Sequence, residues 1–496
     1  MQTQNSTPPT APQAPLKARL APARPKRTMP VQAVALHLKH FLLNQTDGGF
    51  SEWFFAACGD DVRYLAEHRQ WALWDGRRWM IDAANAIRER AKECVRTIVS
   101  MIPYEESPEA QEKMLKLAHR FDNVDRIEKM LKYAQTDPRV LTSIQDYDQN
   151  TWLLNVANGT IDLRTGNLLV PLRKHMITKV LDIQYDQHAN APTWKAFLVR
   201  IMRSHPDIIP FLQRAVGYTL TAATTEHLFF LLYGSGRNGK STFVEALLAV
   251  LGEYAQASSP ETWLKQMGGR SAEPDIARLP GVRMVSTAEI GEGRALDEAR
   301  VKAIVAGDTI TTRNLYQSAF DFVPTCKLWI STNHAPQIKG NDEGMWRRVC
   351  LIPFAETISY DEMDRDLPNK LRAELPGILA WAVQGCIDWQ RDGMQIPDVV
   401  RAKTDEYRSD QDVIGQWIDE CCDIDDDARE SGSALFASYA EWARARGERR
   451  PLNATMFGRR LTDRGIESAK TGGVAWRVGL RLRPADVPNR YGNQDS

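Results

Sequence analysis

The sequence predicts an α/β protein built around a parallel sheet, and three observations carry that reading. The first is a continuous apolar run, His-Leu-Phe-Phe-Leu-Leu-Tyr233, of the kind that fills a strand buried on both faces. The second is the glycine-rich loop directly after it, followed by helical spacing from Thr242 to Leu251. The third is a series of further strand-like runs: Met284 to Ala288, Cys326 to Thr332, and Val349 to Phe354.

The loop reads Gly234, Ser235, Gly236, Arg237, Asn238, Gly239, Lys240, Ser241, Thr242 and fits the phosphate-binding pattern G-x-x-x-x-G-K-[ST]. Its glycines permit a tight turn in which several N–H groups converge on phosphate oxygens. Lys240 is placed to reach the β- and γ-phosphates, and the Ser241 hydroxyl to complete a Mg²⁺ shell. Strand, glycine loop and helix occur in the order this chemistry needs.

Composition sets the limits. A chain of 496 residues exceeds one ordinary core, so about three domains are expected. Charged residues make up 25% and the mean hydropathy is −0.41, as in a soluble globular protein. The sequence has no apolar run near the ~20 residues that span a bilayer, so no membrane partner is expected. The 7 cysteines form no C-x-x-C pair, which points to a reducing compartment and a cytoplasmic location. Charge is uneven along the chain: residues 1–46 carry 6 Lys or Arg and no acid, and residues 431–496 carry 12 basic against 6 acidic residues. Basic ends on a chain of net charge zero suit local contact with a polyanion, or solvated tails.

The expected organisation runs as follows. Residues 1–34, rich in Pro, Ala, Thr and Gln, form a disordered basic arm. Residues 35–190 form an N-terminal α/β domain. Trp71 to Trp79 reads there as two strands around Asp75-Gly76, and Asn158-Gly159 and Thr165-Gly166 bracket another strand. Leu168 onward and Met176 to Val180 are strand-like. Residues 191–226 are helical, 227–360 hold the parallel-sheet core, and 361–430 are helices closed by the acidic linker Asp423 to Asp427. Residues 431–496 form a C-terminal domain.

A phosphate loop needs an acid nearby to order Mg²⁺ and the attacking water. Glu289 ends the Met284–Ala288 run, where ligands of open α/β sheets bind. A second acid does not precede it, so Thr287, Glu292 or water is expected to fill the other coordination role. Asn333 ends the next run and can hold the attacking water or the γ-phosphate. Arg347 and Arg348 precede the last run; a guanidinium fork suits a γ-phosphate. Between Glu289 and Asn333, a helix carrying Lys302 ends at Gly307. A β-branched hairpin-like stretch follows, with Arg313 and Tyr316 at its tip, suited to backbone-plus-stacking contact with single-stranded nucleic acid. Near the C-terminus, Leu435 to Trp442 and Asn453 to Leu461 fit two amphipathic helices and Trp476 to Leu480 a strand. Arg459, Arg460 and Arg464 are expected near phosphates, or in a domain interface.

The series Gly234–Thr242, Val285–Glu289, Lys302–Tyr316, Leu328–Asn333 and Trp346–Arg348 before Ile352-Pro353-Phe354 resembles the superfamily 3 helicases of the AAA+ ATPases. It is most similar to the helicase half of the phage and plasmid primase-helicases related to the poxvirus primase-helicase. In that resemblance the segments stand as Walker A, Walker B, the B′ hairpin, sensor 1 and the arginine finger. Gly59-Asp60-Asp61-Val-Arg63-Tyr64, Trp74-Asp75-Gly76 and Asn158-Gly159-Thr-Ile-Asp162 look like the helicase-associated domain, and 433–482 like a winged helix. The resemblance implies an AAA+ P-loop core, an N-terminal helicase-associated domain, a helical collar at 191–226 and a C-terminal winged helix. It implies ATP and Mg²⁺ bound between subunits of a ring, a homo-hexamer on single-stranded and forked DNA, moving 3′ to 5′. Arg347 or Arg348 of a neighbour would then act in trans. The family's primase domain is not expected here, since about 35 residues without an acid precede the first domain; a separately encoded primase would be a partner. Two rival readings remain: an ATPase that remodels protein or packages DNA without unwinding, and an origin-binding initiator working through its winged helix.

Overall fold

The computed structural model describes residues 45–82, 85–265, 274–313, 319–338, 343–447, 451–471 and 474–483. The arm expected over 1–34 and Tyr316 lie outside these residues. The chain divides into two compact units, one gathering most residues up to Thr142, the other Ser143 onward with Ala66–His68 and Arg77–Trp79.

In the first unit, Thr46 starts the helix Asp47–Cys58 by accepting the Gly49 N–H at 3.1 Å, which satisfies a donor the helix cannot. Phe50, Trp53 and Phe54 recur at helical spacing and bury in a cluster with Val62, Leu73 and Phe121. The strand Val62–Leu65 pairs antiparallel with Gln70–Trp74 and parallel with Leu141–Thr142. The expected turn at Asp75-Gly76 is present, with Gly76 at φ 102°.

The second unit contains the predicted parallel sheet. Its strands are ordered Val349–Pro353, Phe229–Tyr233, Lys327–Thr332, Met284–Ala288, Ala255–Ala257, and each neighbouring pair is parallel. The last strand has no apolar run and was not expected. It is short and lies at an edge, where little side-chain burial is asked of it. Side chains alternate between faces. Phe230, Leu232, Trp329 and Ile352 pack with Phe243 and Leu247 of the helix Lys240–Leu251. Phe229, Leu231, Val285 and Ile330 pack on the other face with Val301 and Ile304 of the helix Glu298–Ala306. Burial on both faces is why Phe229–Leu232 reads as an unbroken apolar run. Trp329 sits 4.3 Å from the Phe230 ring and 6.0 Å from Phe243, and its indole N–H donates to Thr219 Oγ1 at 3.2 Å. Truncating a side chain so packed costs about 3–5 kcal/mol.

The helices expected over 191–226 are Pro192–Ile201 and Ile208–Leu220. The latter touches helix Leu375–Asp392 backbone to backbone: a Cβ at Gly217 would lie 2.0 Å from Cys386 N, and one at Gly385 2.0 Å from Gln213 O. The meander Leu153–Val156, Gly159–Asp162, Asn167–Leu169 matches the expected strand–turn pattern. Met176–Val180 is not a strand, although Leu181 N–H donates to Asn155 O at 2.9 Å. Leu153, Ile161, Leu181 and Tyr185 share the cluster of the parallel-sheet core and fall within the second unit.

The C-terminal segment has helices Gly432–Ala445 and Ala454–Thr462 and the hairpin Ser468–Thr471 with Val474–Leu482. It also recruits what was expected to be a linker. Cys422–Ser431 is a strand paired with Val474–Leu482, and Ile414, Trp417 and Ile418 join the same cluster as Leu435, Tyr439 and Phe457. The acidic run pairs with arginines on the facing strand: Asp423 with Arg483 at 2.9 Å and Arg481 at 3.6 Å, Asp425 with Arg481 at 3.7 Å. Among the described residues no helix is long and apolar enough to cross a membrane.

Candidate nucleotide-binding site

The glycine loop leaves the carboxyl end of Phe229–Tyr233 and enters the helix Lys240–Leu251. Gly239 has φ 85°, and a Cβ there would lie 2.6 Å from Ile201 Cγ2. A Cβ at Gly234 would lie 2.3 Å from Phe354 O, so the loop passes directly against its neighbours. Ser235, Gly236 and Arg237 form an exposed tip, and nothing stands within 4 Å of a Cβ at Gly236. Ser241 is exposed and Thr242 half-buried in the first turn of the helix, whose N-terminal N–H groups and dipole favour anions.

Lys240 is 5% exposed, and its Nζ lies within hydrogen-bond distance of Gly234 O (2.7 Å), Asn238 Oδ1 (3.0 Å), Asn333 Oδ1 (3.0 Å) and Ser235 O (3.3 Å). Burial pushes its ammonium down to about 8. These partners are all neutral oxygens, so the cation retains its full attraction for an anion. Asn238, buried, also donates from Nδ2 to Phe354 O at 3.1 Å. Its side chain is therefore a brace for the loop and for Lys240, a role the loop pattern does not announce.

The strand Lys327–Thr332 lies between the loop strand and Met284–Ala288, which brings Asn333 directly onto Lys240. Glu289 stands one strand further, about 10 Å from the loop strand at ordinary strand spacing. It is exposed, and its N–H donates to Ser331 O at 3.0 Å. Its φ of 58° is left-handed, a conformation that costs a non-glycine residue about 1–3 kcal/mol and that clusters at functional sites. Thr287 shares the face of Val285, opposite the helix Lys240–Leu251, and its hydroxyl is buried without a partner. This face argues against Thr287 as the second metal ligand and leaves Glu292, exposed in the next turn, or water. Among the described residues no group of three or more His, Cys, Asp or Glu could hold a metal alone. The donors present, the Ser241 hydroxyl and the Glu289 carboxylate, fit Mg²⁺, which keeps most of its shell as water and phosphate oxygen.

Arg347 and Arg348 stand at the other edge of the sheet. Phe229 N–H donates to Arg348 O at 2.9 Å, so they flank the start of the strand whose far end carries the loop, about 16 Å away at 3.3 Å per residue. Within one chain they do not join Lys240. Arg348 is half-buried and donates back to Gly344 O, whereas Arg347 is exposed.

The expected hairpin is present. Helix Glu298–Ala306 carries half-buried Lys302 and ends at Gly307, and Ile310–Arg313 pairs antiparallel with Ala319–Phe322. Arg313 is exposed at its outer end. On helix Ala454–Thr462, Arg459 is exposed and Arg460 half-buried. Arg464 takes the second of its two expected roles: it pairs with Asp412, whose carboxylate also accepts the Gly415 N–H at 3.0 Å and caps helix Val413–Cys421. It holds an interface within this domain. Arg477, not singled out from the sequence, ties the strand to helix Ala454–Thr462 through Gly458 O (2.6 Å) and Thr462 Oγ1 (2.7 Å).

Fold and site define a mixed α/β protein with a glycine-rich loop and a polar cluster at the carboxyl edge of its parallel sheet. Residues 51–203 match the family described as D5 N terminal like, and residues 232–348 match one described as Family of unknown function (DUF5906). The chain is similar to "Putative helicase L207/L206" of Acanthamoeba polyphaga mimivirus, 26% identical over 62% of this chain and 34% of that protein. It is also similar to "Putative helicase 022R" of Frog virus 3 (26%; 47% of this chain, 26% of that one). A third relative is "Putative primase C962R" of African swine fever virus (25%; 63% and 35%). The chain thus spans about a third or less of the length of these relatives. A solved structure, the apo NrS-1 C terminal region (305-718), aligns at 10% identity with TM-score 0.47, covering 85% of this chain and 96% of that one. The likeness to the D5 N terminal like family is confined to residues 51–203, and the viral relatives are named helicases and primases.

Proposed function

We propose that this chain is the subunit of an ATP-driven DNA helicase serving the replication of a virus-like or mobile element. The observation that carries the reading is the contact of Lys240 with Asn333 at the carboxyl edge of one parallel sheet, beside an open glycine loop, with Glu289 at the end of the next strand. In the proposed reaction the loop N–H groups and Lys240 bind the phosphates, with Lys240 trading its carbonyl partners for phosphate oxygens. Asn333 orients the γ-phosphate or the water, and Glu289 takes the water's proton. Ser241 and Glu289 would hold Mg²⁺, which when bound would supply charge neutralisation to the phosphates.

Arg347 supports a shared site. It is exposed about 16 Å from its own loop, so its route to a γ-phosphate is through a neighbouring copy, as in a ring. The hairpin bearing Arg313 would follow one DNA strand, and Arg459 and Arg460 would contact duplex phosphates. The names of the viral relatives, helicases and primases, are consistent with this role.

Strand displacement on a forked duplex tests the proposal. The purified chain with ATP and Mg²⁺ should separate the strands, and Lys240→Ala should not. ATP hydrolysis without strand separation would favour a remodelling or packaging ATPase.

A further inference from the structure

The site described so far handles phosphates and leaves the nucleoside end unassigned. Strand order says where that end lies. Asn333 and Glu289 both stand on one side of the loop strand, so the γ-phosphate and the attacking water belong on that side. The nucleoside must leave toward the other neighbour, Val349–Pro353.

The chain leaving that strand turns back along the glycine loop. Phe354 N–H donates to Tyr233 O at 2.7 Å, and Ile358 N–H donates to Arg237 O at 2.8 Å. Tyr360 follows, its ring 4.6 Å beneath the Arg237 guanidinium. Tyr360 is 76% exposed, the highest value among the described large hydrophobic residues of the second unit. The strap is held from behind by Arg200, which pairs with Glu356 at 3.2 Å and Glu362 at 2.6 Å and donates to Thr357 O at 3.2 Å. An aromatic face is thus kept in water at a fixed position beside the phosphate loop, on the side where the base must emerge.

We propose that Tyr360, steadied by Arg237, is the stacking platform for the nucleobase of the triphosphate bound at the glycine loop; this rests on the nucleotide-binding reading given above. Every base has a π-face, so a stacking platform discriminates weakly among bases. The site should accept purine triphosphates with little preference between adenine and guanine.

Calorimetric titration of the full chain tests this with three probes: ATP, GTP and inorganic tripolyphosphate, which has the phosphates without a base. Tyr360→Ala should weaken ATP and GTP each on the order of 10-fold and leave tripolyphosphate unchanged. Tyr360→Phe should bind all three like the parent. Equal weakening of ATP and tripolyphosphate, or no weakening of ATP, overturns the assignment. Lys240→Ala is the separate control and should weaken all three. If it weakens none, the nucleotide-binding reading itself fails, whatever Tyr360 does.

Discussion

Asn333→Asp changes one atom of the cluster and almost nothing of its shape. In the parent, neutral Asn333 Oδ1 lies 3.0 Å from Lys240 Nζ. A carboxylate there would attract the ammonium by about 1.4 kcal/mol in water and about 5.5 kcal/mol at an effective dielectric of ~20. Lys240 is buried and Asn333 exposed, so ~2–3 kcal/mol is the reasonable range. That corresponds to roughly two pKa units and returns Lys240 from about 8 toward its ordinary 10.5. The parent's depressed value means that the folded state binds fewer protons than the unfolded one between about 8 and 10.5. The parent should therefore gain stability from this group as pH rises through that window, and the variant should lose most of this gain. The same carboxylate repels phosphate. A penalty of ~2 kcal/mol raises the ATP Kd roughly 30-fold. The signature is a split: higher melting temperature without nucleotide at pH 7, weaker nucleotide binding by calorimetry. A variant that is stabilised yet binds ATP as the parent does would refute the placement of phosphate at Lys240 and Asn333.

Glu289→Gln should keep ATP binding within a few-fold and lower turnover by at least 10²-fold, the usual scale for a lost general base; parent-like turnover in a coupled phosphate-release assay removes Glu289 from the reaction. Arg347→Ala should slow hydrolysis on the order of 10³-fold with ATP binding retained, and Arg348→Ala, whose guanidinium is engaged with Gly344 O, should cost less. Mixing Arg347→Ala with Lys240→Ala under subunit exchange should restore some hydrolysis, because one variant keeps the loop and the other the arginine. Persistent inactivity of the mixture argues against a shared site.

The parallel sheet and its loop were legible in the sequence because their demands are local. A strand buried on both faces is largely apolar, as Phe229–Leu232 and the Leu328–Ile330 stretch are, and the glycine loop places Gly239 where a Cβ would strike Ile201. The positions of Glu289 and Asn333 were legible in the same way: each directly follows a sheet strand. What the linear order does not contain is which strands are neighbours. The insertion of Lys327–Thr332 between the loop strand and Met284–Ala288 put Asn333 against Lys240 and Glu289 one strand beyond. Partner choice likewise depended on the folded chain. Asp423 to Asp427 reads as a solvated linker until Arg481 and Arg483 stand opposite, and Arg464 reads as a phosphate ligand or an interface residue until Asp412 pairs with it. No local pattern announces the brace that Asn238 makes to Phe354 and Lys240, or the place of Tyr360 beside Arg237. Periodicity and turn chemistry are short-range properties of a chain, whereas a charge finds its counter-ion, and a ring its neighbour, across distances that only the tertiary fold sets.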